Sequence, residues 1–241
     1  MKNKQYFQLA VHENREADLF IFGDITSWEW FESDVSSYTL SRTLQDLDVD
    51  RINVHINSYG GEVAEGLAIH NSLKNHPATV RTICDGFACS AASVVFMAGD
   101  ERLMNPASLL MIHNAWSSAC GNAEQLRKAA DDLEVISQTA AEAYKAKTNI
   151  TEEALEELLA NESWITPANA VEWGFATGIL EEGGSAVANQ SARASVFQAL
   201  TQKNPLVGTQ PEEPSAQKPE VKPKNEPVSI MKMFDGVFNK I

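Results

Sequence analysis

Four stretches of the sequence carry residue types that could activate a hydroxyl group and hold the negative charge its attack creates. In GFACSAASVVFMAG, Ser90 opens a run of small and apolar residues with helical length. A hydroxyl in the first turn of a helix sits where N–H groups and the macrodipole favour developing negative charge, so Ser90 is the candidate nucleophile. Three competitors stand beside it: Ser90 as an ordinary helix cap, Ser93 one turn later, and Cys89. Neighbouring helical side chains diverge by about 100°, so Cys89 and Ser90 cannot both face one carbonyl. In INSYGGEVAEG a strand runs into Gly60 and Gly61 and a helix follows. Backbone N–H groups exposed there could hold an oxyanion, although glycine at such turns more often serves only to reach positive φ. In NPASLLMIHNAW an apolar strand ends at His113, the best placed of five histidines to take a proton from a hydroxyl. His12 and His76 lie in polar or turn contexts and read as surface residues, whereas His55 in a strand and His70 on a helix read as structural. In LEELLANESWITPANAVEWGF, Glu162 stands between a helix ending near Asn161 and another starting at Thr166–Pro167. A carboxylate there could orient an imidazole, or be one more exposed acid in an acidic chain.

Strands and helices in alternation must position these groups. ADLFIFGDI, RINVHINS, ATVRTICDG and SLLMIHNA read as strands, the third ending at Asp85–Gly86. SSYTLSRTLQDLD, EVAEGLAIHNSLKN and residues 90–98 read as helices between them. Parallel strands with crossover helices are expected, hence an α/β fold. A long helix is expected from about Asn122 to Lys147, with Leu126, Ala130, Leu133, Ile136, Ala140 and Tyr144 as its apolar stripe. It either packs on its own core or projects toward a second subunit.

The 241 residues are 44% apolar and 22% charged, enough to build a substantial core. A net charge of -14 repels phosphate backbones and anionic lipid, so neither nucleic acid nor a membrane is an expected partner. No apolar run is long enough to span a bilayer and no signal core opens the chain, so a cytoplasmic location is expected. Cys84, Cys89 and Cys120 have no metal-ligand spacing, and no metal or other cofactor is called for. Composition changes after Glu182: six of nine prolines and none of the five tryptophans lie beyond it. That divides the chain into a folded body over 1–182, carrying about -16, a flexible Pro-rich segment over 183–230, and a short stretch at 231–241. There, Met231, Phe234, Val237 and Phe238 have the spacing of an amphipathic helix.

Taken in order, the four stretches resemble the Clp protease family, the ClpP-type serine peptidases, over roughly residues 18–182. INSYGG is similar to that family's Asn-Ser-Pro-Gly-Gly turn, GFACSAAS to its Gly-x-Ala-x-Ser element, MIHNA to its Met-Ile-His segment, and SWITPANAVEWGF to its Phe-Leu-Ser-Ala-Pro-Glu-Ala-Val-Glu-Tyr-Gly segment. The resemblance puts Ser90 on the nucleophile, His113 on the base and Glu162 on the third triad position, with Asn161 as a possible substitute orienter. It implies an oxyanion hole from the N–H groups of Gly61 and Ala91, and a peptide lying extended beside Tyr59 and Gly60. It also implies a crotonase-like spiral of β-α units, a homo-oligomeric ring joined through the long helix, and peptide or protein substrates. Tyr59, Ala91 and Glu162 depart from the family's usual proline, methionine and aspartate. Those departures and the long tail look most like the head maturation proteases of phages and prophages, whose substrates are capsid or scaffold proteins. A housekeeping protease fed by an ATPase, a crotonase-fold acyl-CoA enzyme and a non-enzymatic scaffold are the rival readings.

Overall fold

Alternation decides which side of each strand is inside. Ala17, Leu19 and Ile21 of EADLFI, and Ile52, Val54 and Ile56 of RINVHINS, are all buried, while the residues between them are not. In the computed structural model, which describes residues 8–28 and 34–181, these segments are strands β2 (Glu16–Ile21) and β3 (Arg51–Ser58) of an eight-stranded sheet. β4 (Thr79–Cys89) and β5 (Glu101–Met104) continue it in parallel, and β1 (Gln8–Val11) closes one edge as an antiparallel hairpin with β2. Helices α1 (Ser37–Gln45), α2 (Val63–Lys74) and α3 (Ala91–Phe96) are the connections between successive parallel strands. Right-handed crossovers in a sequential strand order keep such helices on one face, over the buried side chains. The fold is mixed α/β, as the alternation of patterns predicts.

β4 does not end at Asp85–Gly86 as its turn signal suggests; it runs on to Cys89 and serves two neighbours. Its first half, Arg81 to Cys84, pairs with β5, and its last residues, Phe87 to Cys89, pair with β6 (Leu109–Ile112). Gly86 marks the changeover, where an added Cβ would meet the Asn57 side chain at 2.5 Å and Asn57 Oδ1 accepts from Phe87 N. β7 (Ser163–Ile165) adds antiparallel to β6, and β8 (Gly178–Ile179) pairs with β5. β1, β5, β7 and β8 are two to four residues long, too short to leave a period in the sequence.

Helices α5 (Glu152–Ala160) and α6 (Pro167–Glu172) flank β7, capped by Thr151 and Thr166. Asn122 caps α4 (Ala123–Lys145) with a full capping box, Gln125 reaching back to the Asn122 N–H. From Ala123 to Ala140 no residue of α4 is buried; burial begins at Ala141 and includes Ala143 and Tyr144. The half-buried side chains upstream are Ala129, Leu133, Ser137 and Ala140. Leu126, Val135 and Ile136 stay exposed, so the expected stripe is only partly used and most of α4 projects. Arg102 is buried with no carboxylate bonded to it among the described residues, its guanidinium donating to the carbonyls of Phe175, Gly99 and Gly174. It stitches the segment after α6 to the end of α3.

The sheet's other face is polar and half-buried. His55 bonds Asp85 at 2.8 Å and stacks on Phe20, and the carboxylate holds its pKa above the ordinary histidine value. His70 donates to Val94 O from a half-buried position whose desolvation lowers its pKa, so both histidines are structural as their contexts suggest. His76 is half-buried and structural instead of free at the surface: its Nε2 donates to the carbonyls of Leu44 and Leu47, and its Nδ1 accepts from Ala78 N. Among the described residues no helix is long and apolar enough to cross a membrane. The segments 183–230 and 231–241 lie outside the described residues.

Candidate active site

The last residues of β4 carry the chain from the sheet to the start of α3, and Ser90 is the hinge. Its φ of 54° and ψ of -125° are an uncommon conformation for a residue with a Cβ, of the kind found where a sharp strand-to-helix turn thrusts a side chain outward. Ser90 occupies the N-cap position of α3, yet its side chain makes no cap hydrogen bond. Instead Oγ stands 2.7 Å from His113 Nε2. In the tautomer with the ring proton on Nδ1, the hydroxyl donates to the imidazole, the arrangement in which a base can take the proton as the oxygen attacks.

The neighbours that could compete are otherwise engaged. Ser93 is buried, its hydroxyl donating to Ser90 O at 2.6 Å and bonded to the Tyr144 hydroxyl at 2.7 Å. Cys89 is buried, and desolvation pushes its thiol up to about 11, away from the reactive thiolate.

The two glycines lie against this hinge. A Cβ on Gly60 would sit 2.5 Å from Cys89 O, 2.9 Å from Ala91 N and 2.9 Å from Ser90 Cβ, so only a glycine lets the turn approach Ser90. Gly60 has φ 95° and Gly61 φ 148°, and a Cβ on Gly61 would overlap Ile25 O. Ile25 straps the turn as a parallel bridge: its N–H donates to Gly60 O and its carbonyl accepts from Glu62 N. Gly60 N donates to Ser58 Oγ, so both hydrogen-bonding groups of Gly60 are already used. Residues alternate along an extended edge, which directs the N–H and C=O of Gly61 away from Ile25. The Gly61 and Ala91 N–H groups have no partner among the described residues. Ile25 carried no local signal, because its contact with the turn is long-range.

Glu162 is not joined to His113. It follows α5 in a left-handed conformation with φ 49°, and no hydrogen bond links its carboxylate to the imidazole among the described residues. Asn161 is exposed as the C-cap of α5, and no side-chain bond joins it to His113 either. The antiparallel register of β6 and β7 pairs Ile112 with Ser163, and one further step sets Glu162 opposite His113. That register continued leads the two residues toward each other, and no hydrogen bond joins their side chains among the described residues. Tyr59 is exposed, its ring edge-on to Phe87 at 5.6 Å, and Phe87 is in turn edge-on to Trp164. Among the described residues no group of three or more His, Cys, Asp or Glu is arranged to hold a metal ion.

A hydroxyl at a strained strand-to-helix hinge, an imidazole in contact with it and a diglycine turn alongside form one constellation. The sequence pattern of the Clp protease family matches residues 16–183, the stretch that contains all of it. The chain belongs to the Clp protease family. Among curated Clp relatives, the ATP-dependent Clp protease proteolytic subunit of Deinococcus radiodurans is 32% identical over 133 residues, 54% of this chain. The alignment spans 65% of that relative's length. The matched stretch ends at residue 183, next to the composition change after Glu182.

Proposed function

We propose that this Clp-family protein is a serine endopeptidase working through an acyl-enzyme. The contact of 2.7 Å between Ser90 Oγ and His113 Nε2 carries the reading. As Ser90 Oγ bonds to a peptide carbonyl carbon, its proton passes to His113 Nε2, and the carbonyl oxygen becomes an oxyanion held by the N–H groups of Gly61 and Ala91. His113 then gives the proton to the departing amine nitrogen as the C–N bond breaks. Water repeats the sequence in reverse, its proton going to His113 and then to Ser90 Oγ as the acid leaves. Glu162, once its side chain swings toward the ring, orients the imidazole and stabilises its charged form. A substrate strand pairs with the free groups of Gly61, since those of Gly60 are taken, and Tyr59 flanks it.

The substrates we infer are capsid or scaffold proteins of an assembling phage head, cut without an ATPase. The support is in the sequence: Tyr59, Ala91 and Glu162 at positions where housekeeping members differ, and the Pro-rich extension beyond Glu182. A second reading, a peptidase fed by an ATP-driven unfoldase, is favoured by the relative from Deinococcus, whose name makes it the proteolytic subunit of such a machine.

Ser90→Ala tests the chemistry: hydrolysis of a fluorogenic peptide is expected to fall by at least about 10⁴-fold, with the circular dichroism spectrum unchanged. A fluorophosphonate is expected to label the wild type at Ser90, which an acyl-CoA enzyme without that nucleophile would not allow. Full activity in the purified alanine variant would sink the proposal. Co-expression with neighbouring capsid genes, with and without an added unfoldase, separates the two substrate readings: capsid protein trimmed without the unfoldase supports the first, and degradation only with it supports the second.

A further inference from the structure

The conformation of Ser90 must be imposed by what surrounds it, because a non-glycine residue keeps such torsions only where its environment over-determines them. Its N–H donates to Met111 O at 2.8 Å, which ties it to β6. Its carbonyl accepts from Ser93 N at 2.9 Å, Val94 N at 3.3 Å and Ser93 Oγ at 2.6 Å. The single hydroxyl proton of Ser93 is spent on that carbonyl, so at 2.7 Å the Tyr144 O–H is the donor and Ser93 Oγ the acceptor. Ser93 is 1% exposed and Tyr144 2%, so the relay runs entirely inside the protein. Tyr144 lies in the last turn of α4.

The same helix holds the segment beyond His113. Ala115 N donates to Ser137 Oγ at 2.9 Å, and Ser137 Oγ–H donates to Leu133 O one turn back. Among the described residues Ala115 is the one member of 114–119 whose backbone is hydrogen-bonded to another element. Ser137 and Tyr144 are two turns apart, about 10 Å along one rigid rod. Tyr144 reaches Ser90 through Ser93, and Ser137 reaches the chain two residues beyond His113.

We propose that α4 sets the distance between Ser90 and His113, with Tyr144 acting through Ser93 and Ser137 acting through Ala115 as positioning residues. This rests on the peptidase reading. Neither side chain touches substrate; each fixes the backbone from which a reacting group projects. Loosening either attachment lets the 2.7 Å contact open, which lowers turnover without altering how the substrate is held.

The test compares Tyr144→Phe, which keeps the ring and its packing on Phe175, with Ser137→Ala and Ser137→Thr, the last restoring a hydroxyl. The full-length protein is assayed with a fluorogenic peptide. Expected are about tenfold losses in kcat for Tyr144→Phe and Ser137→Ala, with KM within about twofold, recovery in Ser137→Thr, and fluorophosphonate labelling slowed in proportion. In a Ser93→Ala background, Tyr144→Phe is expected to cost no further kcat, because its route to Ser90 is already cut. Wild-type kcat and labelling in both single variants would overturn the proposal, as would a loss confined to KM. Should Tyr144→Phe fail to fold, the Ser137 pair decides alone. A wild type that neither hydrolyses peptides nor takes the label overturns the peptidase reading itself, which is a different result from labelled wild type with unimpaired variants.

Discussion

At the scale of single residues, one serine was separable from its neighbours only by what each side chain touches. Ser90 forgoes capping its own helix and meets His113, Ser93 is consumed by the Ser90 carbonyl and Tyr144, and Cys89 is buried. His113 was legible because an apolar strand ends there in a polar turn. The acid was not, because whether a carboxylate reaches an imidazole depends on a rotamer and a left-handed backbone at Glu162. Loss of an acid already bonded to its histidine costs a triad about 10⁴-fold. Glu162→Gln is expected to cost less, about 10- to 100-fold in kcat/KM, since its carboxylate must first swing into place, and Asn161→Ala to stay near wild type. Peptide hydrolysis at saturating and limiting substrate checks both, and the reverse order would make Asn161 the orienter.

Among the elements, the turn between β3 and α2 tolerates little change. Gly60→Ala would drive a methyl group to 2.5 Å from Cys89 O at a φ of 95°, so either the turn or the Ser90 hinge must move. We expect a loss of about 1–3 kcal/mol in unfolding free energy, read from the urea midpoint, and a fall in kcat larger than that of any surface change in α2. β2, β3 and the four longest helices were legible because alternation and 3.6-residue spacing persist over a full element. β7 was not: its three residues owe their strand to pairing with β6, whose last pair, Ile112 with Ser163, directly precedes His113 and follows Glu162. The extra length of β4 was hidden for a similar reason. Asp85–Gly86 has the composition of a turn, but the strand passes through it because β6 takes over as a partner at Phe87.

For the molecule as a whole, α4 is the unfinished part. Val135 is 61% exposed, Leu126 43% and Ile136 40% on a helix whose first eighteen residues contribute nothing buried. Covering them in a ring of like subunits is our reading of that surface, opposed by the mutual repulsion of bodies that each carry about -16. Salt screens such repulsion over about 8–10 Å. Sedimentation is therefore expected to show particles larger than the 26.4 kDa chain, favoured by raising salt and broken down by Val135→Glu. A wild type that stays monomeric at every salt concentration would remove the ring from the account. The sequence showed that this helix was long, but not which side it kept open, since the same apolar residues suit a core or a partner. The torsion at Ser90 bears on the history of the molecule as well as its workings. Glycine would accept that backbone geometry without strain, so the easiest way to relax the protein there is also the way to silence it. Copies released from selection for activity have a downhill route at this one codon, and a heat-hardy but inert descendant is the form such decay would take.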